Sequence, residues 1–140
     1  MACRKIGILL FNEVEVMDFA GPFEVFSITE NDDGKGKAFE VHTIARKKEL
    51  IITRNGLKIQ PDYDFHEAPQ FDILIIPGGY GAEEIEIHNQ ETIDWIRRSF
   101  AQVQIMGSVC TGAFLLAEAG LLDGRQATTH WMDIDRLEKE

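Results

Sequence analysis

The segment Ile105–Gly120, I-M-G-S-V-C-T-G-A-F-L-L-A-E-A-G, constrains the fold more than any other stretch. It begins apolar, tightens through small residues to one thiol at Cys110, and continues as an Ala/Leu-rich run. That is the outline of a strand, a sharp turn and a helix, with Ser108 and Gly112 two positions either side of the cysteine. So tight a turn strains the backbone of its central residue, and neighbours two positions away must be small to avoid a clash. Cys110 then stands at a helix start, where backbone N–H groups and the helix dipole stabilise a thiolate and can receive a developing oxyanion. A free cysteine at a strand end also has a plainer use as a small buried hydrophobe. The flanking small residues and the helix-start position favour the reactive use.

The chain has 140 residues, enough for one domain, 1–140, around one core. A net charge of -10 disfavours nucleic acid and anionic membranes as partners, since both require basic surface. Only Cys3 and Cys110 carry thiols, which is no disulfide framework, and the apolar run Ile6–Phe11 is too short for a secretory segment or a membrane span. A reducing cytoplasm is therefore the expected compartment.

Lys5–Phe11 is a near-continuous apolar run, as in a strand of a parallel sheet buried on both faces. After a loop over Asn12–Val16, Pro22 suits the first turn of a helix, with Phe23 and Phe26 on one face. Asp18 falls just before it, where an aspartate commonly serves as an N-cap or turn carboxylate. Phe39–Ala45 alternates like a strand, and Arg54-Asn55-Gly56 between Leu50–Thr53 and Leu57–Gln60 predicts an antiparallel hairpin flap. His42 and His66 lack a second ligand at metal spacing, and His88 carries no specific expectation. Phe71–Gly79 is another apolar strand, closed by Pro77-Gly78-Gly79. The two glycines permit close backbone approach, either to a ligand oxyanion or simply in a strand-to-helix turn. Asn89 is placed to cap a helix over Gln90–Phe100 with Ile93, Ile96 and Phe100 on one face, and Gln102–Val109 leads into the elbow. Ala127–His130 reads as a short strand or loop, and Trp131–Glu140 as a charged helical end. His130 is a candidate base beside the thiol, although spacing alone does not bring it there.

Strands alternating with helices imply an α/β, doubly wound, mostly parallel sheet, whose ligands bind at the carboxyl ends of the strands. Asp18, Gly78-Gly79 and Cys110 each follow one of three strands expected to be buried. An acid, a pair of flexible amides and a nucleophile thus converge on one rim.

These residues resemble the ThiJ/PfpI family, within the class I glutamine amidotransferase-like fold. The resemblance rests on Asp18–Phe26 (D-F-A-G-P-F-E-V-F), Ile76–Gly79 (I-P-G-G), Ser108–Gly124 and Ala127–Trp131 (A-T-T-H-W). Within the family they look most like the isocyanide hydratases and the amidotransferase-like sensory domain of AraC-type regulators. The resemblance implies that Cys110 is the nucleophile and Asp18 the acid hydrogen-bonded to it. It implies that Gly79, Cys110 and Thr111 line an anion pocket, and that His130 is a pocket histidine. Thr111 stands where PfpI-type peptidases carry histidine, which disfavours a Cys-His-Glu peptidase. Asp18 replaces the glutamate of the glyoxalase-like branch, which favours the hydratase-like branch. Family members continue past the T-T-H-W motif with further strands and a final helix, so this chain is expected to leave apolar surface open and to self-associate, as a homodimer.

What the resemblance implies is a cofactor-free, metal-free enzyme adding water to a small electrophilic carbon through a Cys110 adduct. Asp18, raised in pKa by burial and the neighbouring thiolate, shuttles the proton, while Thr111 and the Gly78-Gly79 amides orient substrate and water. Two other readings stand beside it. One is a ligand-sensing domain whose DNA-binding half lies elsewhere. The other is a stress-related thiol protein in which Cys110 is reversibly oxidised.

Overall fold

The computed structural model describes residues 3–140. The first apolar run forms β1 (Arg4–Leu10), and its last residues are buried on both faces because it lies at the centre of the sheet. It is flanked by β2 (Phe39–Ala45) and β6 (Ile73–Ile76), both parallel to it. With β5 (Tyr63–Asp64) outside β2 and β7 (Ile105–Ser108) outside β6, the order is β5-β2-β1-β6-β7 and every pairing is parallel. The α/β architecture with a parallel sheet is the one expected. The chain leaves β1 toward β2 on one side and returns to build β6 and β7 on the other. The point where strand order reverses therefore lies between β1 and β6, the usual place for a ligand crevice in such sheets.

The core is aliphatic, as strands buried on two faces require. Ile6, Ile8, Ile44, Leu74 and Ile76 from the sheet, with Ile93, Ile96, Phe114 and Leu115 from the helices, are almost completely removed from water. Each such side chain contributes about 1.5–3 kcal/mol of transfer free energy. Among the described residues four α-helices accompany the sheet: α1 (Val16–Ile28), α2 (Gln90–Phe100), α3 (Ala113–Glu118) and α4 (Ile134–Glu138). The hairpin forms as expected, from β3 (Ile51–Ile52) and β4 (Lys58–Ile59), with Gly56 at positive φ in its turn. It is fastened to the loop after β1, where Glu13 N–H donates to the Ile52 carbonyl and Arg54 N–H to that of Val14.

Several local expectations are corrected. Helix α1 begins before Pro22, which lies inside it and removes the N–H that would have bonded the Asp18 carbonyl. The early start follows from Phe19, whose buried ring anchors the first turn. Asp18 is accordingly within that turn, and the N-cap position belongs to Glu15. Phe23 and Phe100 are not core residues; both face outward, and Arg125 lies over the Phe100 ring at 5.6 Å. Trp95 occupies the buried face of α2 instead. Asn89 stands at the N-cap of α2 but makes no side-chain cap bond; its backbone N–H donates to the Glu86 carbonyl at 2.9 Å. The strand entering the elbow is not buried: β7 is the sheet edge, and Ile105 is 54% exposed. Strand β5, a π-helical turn over Gly81–Ile85 and a 3-10 turn over Glu86–His88 were not foreseen. Among the described residues no helix is long and apolar enough to cross a membrane, and no His, Cys, Asp and Glu side chains cluster as metal ligands.

Candidate active site

The carboxyl ends of β1, β6 and β7 meet where strand order reverses. At the end of β7 the chain turns through Val109 into a 3-10 turn over Cys110–Gly112 and then α3. Cys110 takes φ 54, a conformation that costs a residue with a Cβ about 1–3 kcal/mol and persists only where the surroundings enforce it. The surroundings are tight. A Cβ at Gly112 would run into the Ile76 carbonyl oxygen, and one at Gly78 would lie 2.5 Å from the Thr111 amide nitrogen. The Pro-Gly-Gly loop after β6 thus lies directly against the elbow, and only glycine permits that approach.

Hydrogen bonds lock the two loops together. Val109 N–H donates to the Ile76 carbonyl at 3.0 Å, and Gly79 N–H donates to the Thr111 hydroxyl at 2.9 Å. The loop after β1 joins them through Glu15 N–H to the Gly78 carbonyl at 3.0 Å. From the C-terminal side, the Thr129 hydroxyl donates to the Cys110 carbonyl at 2.8 Å.

Asp18 reaches this junction from the first turn of α1. Its Oδ2 accepts from Gly78 N–H at 3.1 Å, and its charge bears directly on the Cys110 thiol. Burial raises the Asp18 pKa, helped by the nearby Glu15 charge and opposed by the Gly78 N–H bond. Burial also raises the Cys110 thiol above its ordinary value; the Asp18 charge adds to this, and the Thr111 N–H pulls the other way. Both effects work against the dipole-stabilised thiolate expected from the sequence. The following helix is short, and desolvation together with an adjacent carboxylate outweighs its N-terminus.

A cavity of about 370 Å³ opens over the thiol, with Glu15, Arg54, Tyr80, Glu83 and His130 among its lining residues. Of the residues expected at the site, Cys110, Asp18, Thr111, Gly78, Gly79 and His130 are all brought together here. Their parts differ from expectation in two ways. The Gly78 and Gly79 N–H groups are already bonded, to Asp18 and Thr111, so neither amide is an idle oxyanion donor. Thr111 is buried, and its hydroxyl bridges back to Gly79, so it braces the elbow. The amide that faces the sulfur is that of Thr111. His130 lines the cavity, but its Nδ1 accepts from Met132 N–H at 3.3 Å and lies 3.8 Å from Asp133. Among the described residues no hydrogen bond joins it to Cys110.

Sequence reasoning missed Glu15, Arg54, Tyr80, Glu83 and Asp133 in the cavity wall. Glu15 had a usable signal, lying one helical turn before Asp18 on the same side. Glu83 and Tyr80 had none, since nothing in the local pattern announces the irregular turn that presents them.

Isonitrile hydratase of Pseudomonas putida is 35% identical over 133 residues, covering 95% of this chain and 55% of that protein. The HTH-type transcriptional regulator GbdR of Pseudomonas aeruginosa is 30% identical over 128 residues, covering 91% of this chain and 34% of the regulator. Among solved structures, a ThiJ/PfpI family protein from Pseudomonas syringae superposes with a TM-score of 0.80 at 28% identity, over 99% of this chain and 55% of that one. The chain thus spans about half the length of the hydratase it matches. The strained thiol on its strand end, the acid that acts on it and the Pro-Gly-Gly loop packed against the elbow all lie within residues 4–140, the span matched by the DJ-1/PfpI family, and the chain belongs to that family.

Proposed function

We propose that the site adds water to a small electrophilic carbon through a covalent Cys110 adduct, with an isocyanide as the substrate type. The observation that carries this reading is the Cys110 thiol held at positive φ beneath an open cavity, with the Asp18 carboxylate acting on it. The 35% identity to an isonitrile hydratase supports the same chemistry.

The two groups divide the work by their resting states. Asp18 takes the thiol proton as sulfur attacks the terminal isocyanide carbon, and the same proton is then delivered to that carbon. This forms a thioimidate, in which carbon is bonded to hydrogen, nitrogen and sulfur. A water molecule adds across the C=N bond, its hydroxyl to carbon and its hydrogen to nitrogen. Collapse of the adduct breaks the C–S bond, the hydroxyl proton leaves, and the thiol is restored as a formamide departs. Isocyanide and water are consumed, formamide is produced, and no electron acceptor enters. A raised Asp18 pKa suits a group that must both accept and return a proton. The Thr111 N–H, facing sulfur, offsets charge on the thiolate as it forms. The substrate is a small neutral or charged molecule, handled without metal or organic cofactor.

The test is formamide production from simple isocyanides, with Cys110→Ala as the control. Turnover that vanishes in a folded Cys110→Ala variant upholds the mechanism. Full activity in that variant, or no turnover by the folded parent, overturns it.

A second reading has its own support. Burial and the Asp18 charge push the thiol pKa up, and a similar stretch occurs within a transcription regulator. On that reading the cavity binds a small molecule without converting it. Ligand binding by calorimetry with no product after prolonged incubation would favour it.

A further inference from the structure

Treating Cys110 as a nucleophile raises the question of which electrophiles reach it, and the charge of the cavity wall bears on that choice. Glu15, Glu83 and Asp133 line the cavity, and Asp18 lies behind the thiol. One cation, Arg54, also lines the cavity, and Arg136 lies close enough to Glu83 to lower its pKa, but both guanidinium groups are bonded elsewhere. Arg54 binds the Glu13 carboxylate at 3.0 Å and lies over the Tyr80 ring. Arg136 binds the Glu84 carboxylate at 2.8 Å and the Glu83 carbonyl, not its carboxylate, at 2.7 Å. Among the described residues no Lys or Arg forms an ion pair with Glu15, Glu83 or Asp133. The partner of Asp133 is His130, uncharged unless protonated.

The titrating groups respond as they must in a cavity short of positive charge. After burial, Glu83 is raised by Asp133, Asp18 by Glu15, and Cys110 by Asp18. Each carboxylate opposes the formation of the next negative charge, the thiolate included.

Resting on the assignment of Cys110 as the nucleophile, we propose that the Cys110 cavity selects small organic cations, an electrophilic carbon carried on an ammonium or amidinium group, over neutral and anionic molecules. At about 370 Å³ the space fits a molecule at the small end of the usual ligand range. A cation seated between Glu15, Glu83 and Asp133 also offsets the carboxylate charge that, after burial, pushes the thiol pKa up. The ligand thereby promotes ionisation of the group that attacks it, and a wrong ligand leaves the thiol quiet.

Methanethiosulfonates of equal reach and different charge test this without requiring turnover. In a Cys3→Ser background, Cys110 is modified with the trimethylammonioethyl, methyl and sulfonatoethyl reagents. Each rate is divided by that of the same reagent with a free small thiol. The expected order is cation, neutral, anion, with at least about a tenfold gap between the first and last. The gap should shrink in Glu83→Gln and in Asp133→Asn, and at high salt. Equal normalised rates, or the reverse order, overturn the proposal on the parent protein alone, whether or not the variants fold. The hydratase reading fails separately. Cation preference without isocyanide turnover retains the selectivity and drops the hydratase chemistry; isocyanide turnover with equal rates does the opposite.

Discussion

Replacing Thr111 with valine keeps the shape of the side chain and exchanges one hydroxyl for a methyl. The structure says what is lost. The hydroxyl accepts from Gly79 N–H at 2.9 Å and lies 3.4 Å from the Gly79 carbonyl, and Thr111 is 3% exposed. Losing one neutral hydrogen bond costs about 1 kcal/mol, and stranding a buried donor raises the total toward about 3 kcal/mol. Gly79 is only partly buried, so water recovers some of this, and the expected cost is about 1–2 kcal/mol. With a urea m-value of roughly 2 kcal/mol/M, the midpoint falls by about 0.5–1 M. For a domain of this size Tm falls by roughly 4–8 °C. Thr111→Ser retains the oxygen and should recover most of the loss. The Pro-Gly-Gly loop would also loosen against the elbow, so Cys110 alkylation in Thr111→Val should change while Cys3 alkylation does not. A Thr111→Val protein within about 0.3 kcal/mol of the parent at unchanged m refutes the bracing role.

Three further outcomes are expected. Cys110 alkylation, followed by mass spectrometry in a Cys3→Ser background, should rise only above the ordinary thiol range of about pH 8.5; Asp18→Asn should move the rise to lower pH, since it removes the charge but not the burial. An unmoved or higher onset would contradict the pairing. Glu86 is raised by burial and accepts from the Thr92 hydroxyl at 2.9 Å, so the folded state favours its protonated form. Its contribution to stability is present below the ordinary glutamate pKa of about 4.3 and is lost as pH rises through the higher folded value. Glu86→Gln should therefore gain stability over the parent on going from pH 4 to pH 7, and a gap constant in denaturation midpoint across that range would exclude the effect. Exposed Met17, Val25 and Ile28 on α1, with Ile105, Trp131 and Ile134 elsewhere, should drive self-association; a clean monomer by light scattering at micromolar concentration would count against it.

What the sequence disclosed, it disclosed through periodicity and punctuation. The two-sided burial of β1 and β6 is written in continuous apolar runs, and the hairpin in Asn55-Gly56. The elbow was legible because its small residues have no other good explanation: Gly112 sits where any Cβ meets the Ile76 carbonyl. The misreadings came where tertiary contacts override local pattern. Pro22 suggested a helix start, yet burial of Phe19 pulled the helix back to Val16. The run before Cys110 looked like a buried strand, but burial depends on neighbours, and β7 has one only on the β6 side. The upward push on the Cys110 thiol was hidden for a similar reason. A helix start is visible in sequence, whereas the depth of the thiol and the approach of Asp18 across 92 positions of chain are not. Glu83 depends on a π-helical turn with no sequence signature, so the acidic character of the cavity could only be seen in three dimensions.

The positive φ at Cys110 sets the interests of the fold against those of the chemistry. Glycine at that position would adopt the same backbone with about 1–2 kcal/mol less strain, so the stablest form of this elbow carries no thiol. A lineage relieved of the need for the reaction would drift toward glycine there, and a laboratory selection for heat tolerance alone would be drawn to the same change. Either would improve the protein as a folded object while disarming it. On the proposed reading, the strain held at this turn is what the reaction asks of the fold, and it can be measured without knowing the substrate.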